Sequence, residues 1–188
     1  MQHLQKDNVA ITVGRQGQVV GNEYPWNLAF ITDSIADVNA FYRGGIVALP
    51  LYLYKPTEQK RKGHSMMLFE PEESYGKEGR KPNISKEILE KLEKAYKKKF
   101  TPENLLHYVY GILYSNIYRK KYAEFLKIDF PRIPFTSDYK LFLQVAELGE
   151  QLTELHLLKL NCLTNPLRNT KAREMTVWRS LCIMRRSD

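Results

Sequence analysis

Cysteine is scarce in this 188-residue chain: Cys162 and Cys182 are the only two. They make no CxxC and no zinc spacing, and a cytosolic disulfide between them is not expected. The four histidines, His3, His64, His107 and His156, have no HExxH or other ligand spacing, so no metal is expected. His107 falls on the face of a helical pattern that carries Gly111 and reads as a core histidine. No apolar run approaches the roughly 20 residues of a membrane span. The N-terminal MQHLQKDNVA lacks the basic-then-apolar pattern of a leader. A cytoplasmic location with no membrane partner is therefore expected. Gly14, Gly17 and Gly21 are spaced neither as GxGxxG nor as GxxxxGK[ST], so they read as turns rather than a phosphate loop. Glu70, Glu72, Glu73 and Glu78 lack the spaced Asp and ExK partner that a magnesium-dependent nuclease needs. No catalytic residue and no cofactor is expected, and the chain does not read as an enzyme.

What is present is a globular composition with a basic excess. Apolar residues make up 43% of the chain, enough for a sizeable core. The net charge is +8, which favours an anionic partner. Half of that excess lies in residues 161–188, where Arg168, Lys171, Arg173, Arg179, Arg185 and Arg186 face only Glu174 and Asp188.

The chain reads as α+β: a small N-terminal β-sheet region, a long polar loop, then a helical C-terminal half. Three β-prone runs, Val9–Val13, Leu28–Thr32 and Ile46–Tyr54, predict the sheet within residues 1–54. Gln18–Gly21 is a possible return strand. Pro50 implies an edge strand or a break in the third run. Residues 55–84 are polar, rich in Pro and Gly, and read as a loop, with Met66–Phe69 as its apolar anchor. Residues 85–160 are helical. Ser85 is placed to cap a helix with Ile88, Leu89, Leu92 and Tyr96 inward. Thr101-Pro102 opens the next one. Its face of Leu105, Leu106, Val109, Ile112 and Leu113 is apolar, and Gly111 implies close approach by a neighbour. Ser115 opens another, with Tyr118, Tyr122, Phe125 and Leu126 inward. Pro131 and Pro134 then force an extended strut, in which Arg132 is placed to pair with Asp129. Ser137 is placed to cap a last helix, where Leu141, Val145, Leu148, Leu152 and Leu155 repeat at 4,3,4,3 spacing.

The wording of these segments is specific. YGILYSNIYRKKYAEFLKIDFPRIPF (110–135) resembles the C-terminal specificity region of type ISP restriction-modification enzymes. Met1–Gln16, Leu28–Asp37, Pro50–Tyr54 and FLQVAELGEQLTELHLL (142–158) resemble further phrases of that region, in its order. The resemblance covers about residues 1–160. It implies a target-recognition domain that binds duplex DNA in a sequence-specific way. Methylation, translocation and cleavage would belong to parts absent from this chain, since an NPPY-type methyltransferase loop is missing along with the motifs above. The chain is thus expected to be a truncated or split form of the family. The alternative is an interaction or scaffold module docking a separately encoded methyltransferase or translocase polypeptide, or an inactive fragment. The tail at 161–188 is expected to be foreign to the family. Cations for phosphates and Arg or Gln for base edges single out Arg15, Gln16, Lys60, Arg61, Lys62, Arg80, Lys81, Arg119, Lys120 and Lys121 as DNA-contact candidates.

Overall fold

The computed structural model describes residues 2–15, 24–37, 39–40, 45–55 and 79–159. The expected return strand at Gln18–Gly21, the basic and acidic runs of the long loop, Met66–Phe69 and the tail lie outside the described residues.

The three β-prone runs do form a sheet. Strand β1 (Ala10–Gly14) is central, with β2 (Ala29–Thr32) and β3 (Ile46–Pro50) antiparallel on either side. Ile11 faces Ile31 and Leu49 across the two ladders, and Val13 faces Ala29 and Val47. All five β1 residues are buried, because the strand is covered on both faces.

Both readings of Pro50 hold. It ends β3, which pairs only with β1 among the described residues. One residue later the chain enters β4 (Tyr52–Tyr54) of a separate two-stranded sheet with β5 (Arg80–Pro82). The end of the expected loop is thus a strand. Leu51 joins the two sheets: its N–H donates to Val9 O (2.8 Å) and its carbonyl accepts from Asn83 N (2.8 Å). Buried Asn8 completes the joint, accepting from Tyr52 N (3.1 Å) and donating to Tyr52 O (2.8 Å).

Five helices follow: α1 (Lys86–Tyr96), α2 (Pro102–Tyr114), α3 (Asn116–Lys121), α4 (Ala123–Ile128) and α5 (Tyr139–His156). Their starts obey capping chemistry. Thr101 and Asn104 form a reciprocal capping box with Pro102 in the first turn. The Ser115 hydroxyl accepts from Tyr118 N. Ser85 sits at the N-cap of α1 without a side-chain bond. The last helix is capped by Asp138 rather than Ser137, since the Asp138 carboxylate accepts from Lys140 N (2.8 Å).

In α1 only Leu92 and Tyr96 are buried and Ile88 is exposed, so the core is reached by the C-terminal half of that helix. The expected helix after Ser115 is two short ones, bent at Tyr122. Leu141, Val145 and Leu148 are buried and Leu152 packs on the same core, so the 4,3,4,3 repeat is an intramolecular seam.

Two features hold the helices together. The first is the crossing of α2 and α5, where Gly111 and Gly149 meet. A Cβ on Gly149 would sit 2.7 Å from the His107 carbonyl carbon and closer still to its oxygen. A Cβ on Gly111 would lie 3.1 Å from Val145 O and 3.4 Å from Val145 Cγ1. The inferred close approach at Gly111 is therefore real, and the tighter half of it lies at Gly149.

The second is a row of tyrosine hydroxyls on the strut. Residues 130–136 belong to no helix or sheet, so their carbonyls need other partners. Tyr118 donates to Arg132 O (2.8 Å), Tyr108 to Pro134 O (2.7 Å) and Tyr96 to Thr136 O (2.7 Å). Alternate carbonyls of an extended chain point the same way, which is why every second one is taken. Burial pushes the Tyr96 and Tyr118 hydroxyls up to about 12, with Asp138 and Tyr122 respectively adding to the effect.

An apolar cavity of about 500 Å³ remains between the sheet, α2 and the strut, lined by Val47, Leu49, Leu105, Val109, Phe130 and Ile133 among others.

The two glycines should respond differently to alanine. Gly111→Ala gains about 1 kcal/mol of helix propensity against a tight contact, so its net loss should be under about 2 kcal/mol. Gly149→Ala should cost more than about 3 kcal/mol, because its Cβ would overlap the His107 carbonyl outright, whereas that of Gly111 only presses on Val145 O. Urea unfolding of the two variants would show this order, and equal losses would refute the crossing.

The tyrosine row predicts an alkaline transition. Tyr96 and Tyr118 are held neutral in the fold, so their stabilisation is complete below the ordinary tyrosine pKa of about 10. It should fall away as pH rises from there towards 12. Melting temperatures from pH 8 to 11.5 should drop less steeply for Tyr96→Phe than for the parent. A parallel pair of curves would contradict the assignment.

Candidate nucleic-acid interface

Five of the ten contact candidates can be located with their surroundings and are not committed to the core: Arg15, Arg80, Lys81, Lys120 and Lys121. Arg15 is exposed and follows the last residue of β1. Its guanidinium lies 5.0 Å above the Phe130 ring, at the start of the strut. That contact holds the side chain at the junction of the sheet and the helical half while leaving its N–H fork outside. Two residues further along the strut, Arg132 is exposed, lies 4.9 Å over Phe125 and pairs with Asp129 at 3.6 Å. The expected local pair is thus present.

Arg80 and Lys81 lie on β5, across from Tyr54 and Leu53. Arg80 is half-buried, 4.3 Å over the Tyr52 ring, and the Tyr52 hydroxyl donates to Glu103 at the start of α2. Burial would raise the Glu103 pKa, but hydrogen bonds from Tyr52, its own backbone and Thr101, with Arg80 nearby, bring it below the ordinary value. Lys120 and Lys121 are exposed at the end of α3, where the helix dipole favours cations. Gln16, Lys60, Arg61 and Lys62 lie outside the described residues.

Arg119 is placed differently from its two neighbours. Its Nε donates to Leu113 O (2.8 Å) at the end of α2, and its Nη1 donates to Asn27 Oδ1 (3.0 Å). The guanidinium stands 4.7 Å from the Tyr114 ring and 5.5 Å from the Trp26 ring. Its Nη2 is buried and has no hydrogen-bond partner among the described residues. Burial lowers its pKa and the nearby Tyr114 and Tyr110 hydroxyls oppose this. The side chain faces the interior, although the basic run Arg119-Lys120-Lys121 reads as one surface in sequence.

Arg119 also borders a polar knot between the C-terminal ends of α2 and α5. The Tyr110 hydroxyl and His156 Nδ1 are 2.6 Å apart, and the Tyr114 ring lies 4.7 Å from the His156 ring. Burial, with Arg119 beside it, lowers the His156 pKa. His107 is also lowered by burial, more than Glu150, Glu103 and Glu154 restore. His107 is half-buried on α2 rather than in the core, and His156 is tied to Tyr110. Among the described residues no group of three or more His, Cys, Asp or Glu is placed to hold a metal, and no helix is long and apolar enough to cross a membrane.

Sequence reasoning missed the contribution of Trp26 and Asn27. A buried tryptophan needs a partner for its indole N–H. Trp26 finds one in Gly14 O at 3.0 Å, which binds the β1 end to the β2 approach. The only signal was a lone Trp in a short polar stretch.

No curated protein matches this chain. Solved structures do match it. DrdV, solved by cryo-EM as a DNA complex, has a TM-score of 0.57 and 27% identity, over 80% of this chain and 12% of that one. The ATP-dependent Type ISP restriction-modification enzyme LlaBIII, solved bound to DNA, has a TM-score of 0.56 and 27% identity, over 81% of this chain and 8% of that one. The chain therefore spans a small fraction of the length of either. A family model, the Type ISP C-terminal specificity domain, matches residues 1–177, which includes part of the basic tail. With the sheet, the capped helices and the strut in the order that the family's phrases occupy, this chain belongs to the Type ISP C-terminal specificity domain family.

Proposed function

We propose that this chain recognises a specific sequence of duplex DNA, on behalf of methylation and cleavage machinery carried outside it. The observation that carries the reading is the family match over residues 1–177. Two relatives solved with DNA support it. Recognition divides between two kinds of contact. Arg15, with Gln16 beside it in sequence, suits base edges, because its fork is held at the ring of Phe130. Exposed Lys120 and Lys121 suit phosphates, which position a duplex without reading it. Lys60, Arg61, Lys62, Arg80 and Lys81 complete the set of candidate contacts. The role is recognition without a catalytic centre of its own.

A second reading has one observation in its favour. Val47 and Leu49 are 40% and 48% exposed beside the apolar cavity, on a strand with one partner among the described residues. Such a surface suits protein docking, for instance to a separately encoded methyltransferase or translocase polypeptide.

Binding of the full chain to a randomised duplex pool, titrated with salt, separates the two. DNA recognition predicts affinity that falls steeply with salt, by a log–log slope of about −0.9 per phosphate contact. It also predicts enrichment of one sequence. Lys120→Ala with Lys121→Ala should weaken all duplexes alike and make the slope shallower by about two. Arg15→Ala should cost the preferred duplex about 1–3 kcal/mol and relax its preference. Salt-independent or absent binding would favour the docking reading.

A further inference from the structure

We infer that Arg119 is a positioning residue for DNA recognition: it sits behind the contact surface and fixes the stretch of chain that presents Arg15. This rests on the recognition reading above. Arg119 grips two consecutive residues, the ring of Trp26 and the amide oxygen of Asn27, while its Nε is tied to Leu113 O at the end of α2. Trp26 is 4% exposed and passes the restraint on, because its indole N–H donates to Gly14 O at 3.0 Å. The other polar group of Gly14 is held from the same side, its N–H donating to Leu28 O at 3.0 Å. Both backbone groups of the residue before Arg15 are thereby fixed. The Arg15 guanidinium in turn rests over Phe130. One cation on a helix thus sets the backbone position from which a second cation is offered to the groove.

The planar fork is essential to this arrangement. A lysine ammonium is a point charge with no plane to stack between Tyr114 and Trp26, and it cannot span Leu113 O and Asn27 Oδ1 in the same geometry. A phosphate contact makes no such demand, and lysine serves it well.

The test uses the full chain, the duplex enriched from the randomised pool and a scrambled duplex of the same length, at several salt concentrations. Arg119→Met should reduce the ratio of enriched to scrambled affinity roughly tenfold or more, which is the scale of one lost base contact. It should leave the salt slope on the scrambled duplex unchanged. Arg119→Lys should fail to restore the ratio. Arg15→Ala combined with Arg119→Met should lose no more than Arg15→Ala alone, as expected for residues acting as one unit. If Arg119→Met does not fold, Asn27→Ala takes its place in the same cycle, since Asn27 is exposed and its loss removes one acceptor. It should lower the ratio without adding to Arg15→Ala. Additive losses, an unchanged ratio, or rescue by lysine together with a slope shallower by about one would overturn the inference and leave DNA recognition standing. A parent chain with no preference between the duplexes would overturn both.

Discussion

The fold hangs on the absence of two side chains. At the α2–α5 crossing, Gly149 lies against the His107 carbonyl and Gly111 against Val145. Helices in proteins usually stand 8–10 Å apart, and glycine pairs allow the near end of that range. The close crossing fixes α5 along α2, and Tyr108, the residue after His107, is carried into stacking contact with Phe142 at 4.8 Å. From that pair the aromatic cluster spreads to Tyr96, Phe100, Tyr139 and Phe135. The sheet packs on what α2 presents, through Leu105, Leu106 and Leu113.

The basic character of the chain gains meaning only when the cations are sorted by what lies under them. Arg15, Arg80 and Arg132 each rest on an aromatic ring with the charged end outside or half outside. Arg119 is enclosed by rings and spent on protein acceptors. Lys120 and Lys121 are exposed charges at the end of α3, the latter 5.8 Å from the Tyr122 ring centre. Arginine combines an apolar face with a polar rim, so it can be part of a core on one side and a ligand on the other. Net charge records none of these distinctions.

Much of the scaffold was legible. Thr101-Pro102, Ser115 and the two prolines act locally, through bonds within four residues, so their effect survives without tertiary knowledge. Gly111 was legible as a close approach because glycine inside a helix costs stability, and a neighbour that leaves no room for a side chain offsets that cost. Gly149 was hidden inside a leucine repeat that drew attention to its neighbours. Strand β5 was illegible, since Arg-Lys-Pro has no alternation and forms a strand only because β4 offers an edge. The direction of Arg119 depends on Trp26 and Asn27, partners more than 90 residues away that no local pattern announces. Of the site, residue types and the inward side carrying Tyr118 could be named in sequence, but not that Arg119 would also be drawn towards the interior.

The hydroxyls of Tyr118, Tyr108 and Tyr96 take backbone oxygens at 132, 134 and 136, so they read spacing and ignore side-chain identity. The strut therefore has a parity. One added residue between Pro131 and Thr136 would turn the remaining carbonyls away from their donors, whereas two would restore the facing and leave about 6.6 Å of extra chain to bulge. Substitutions at Arg132, Ile133 or Phe135 leave that count untouched. As a backbone ruler between the helices, the segment is intolerant of an odd change in its length.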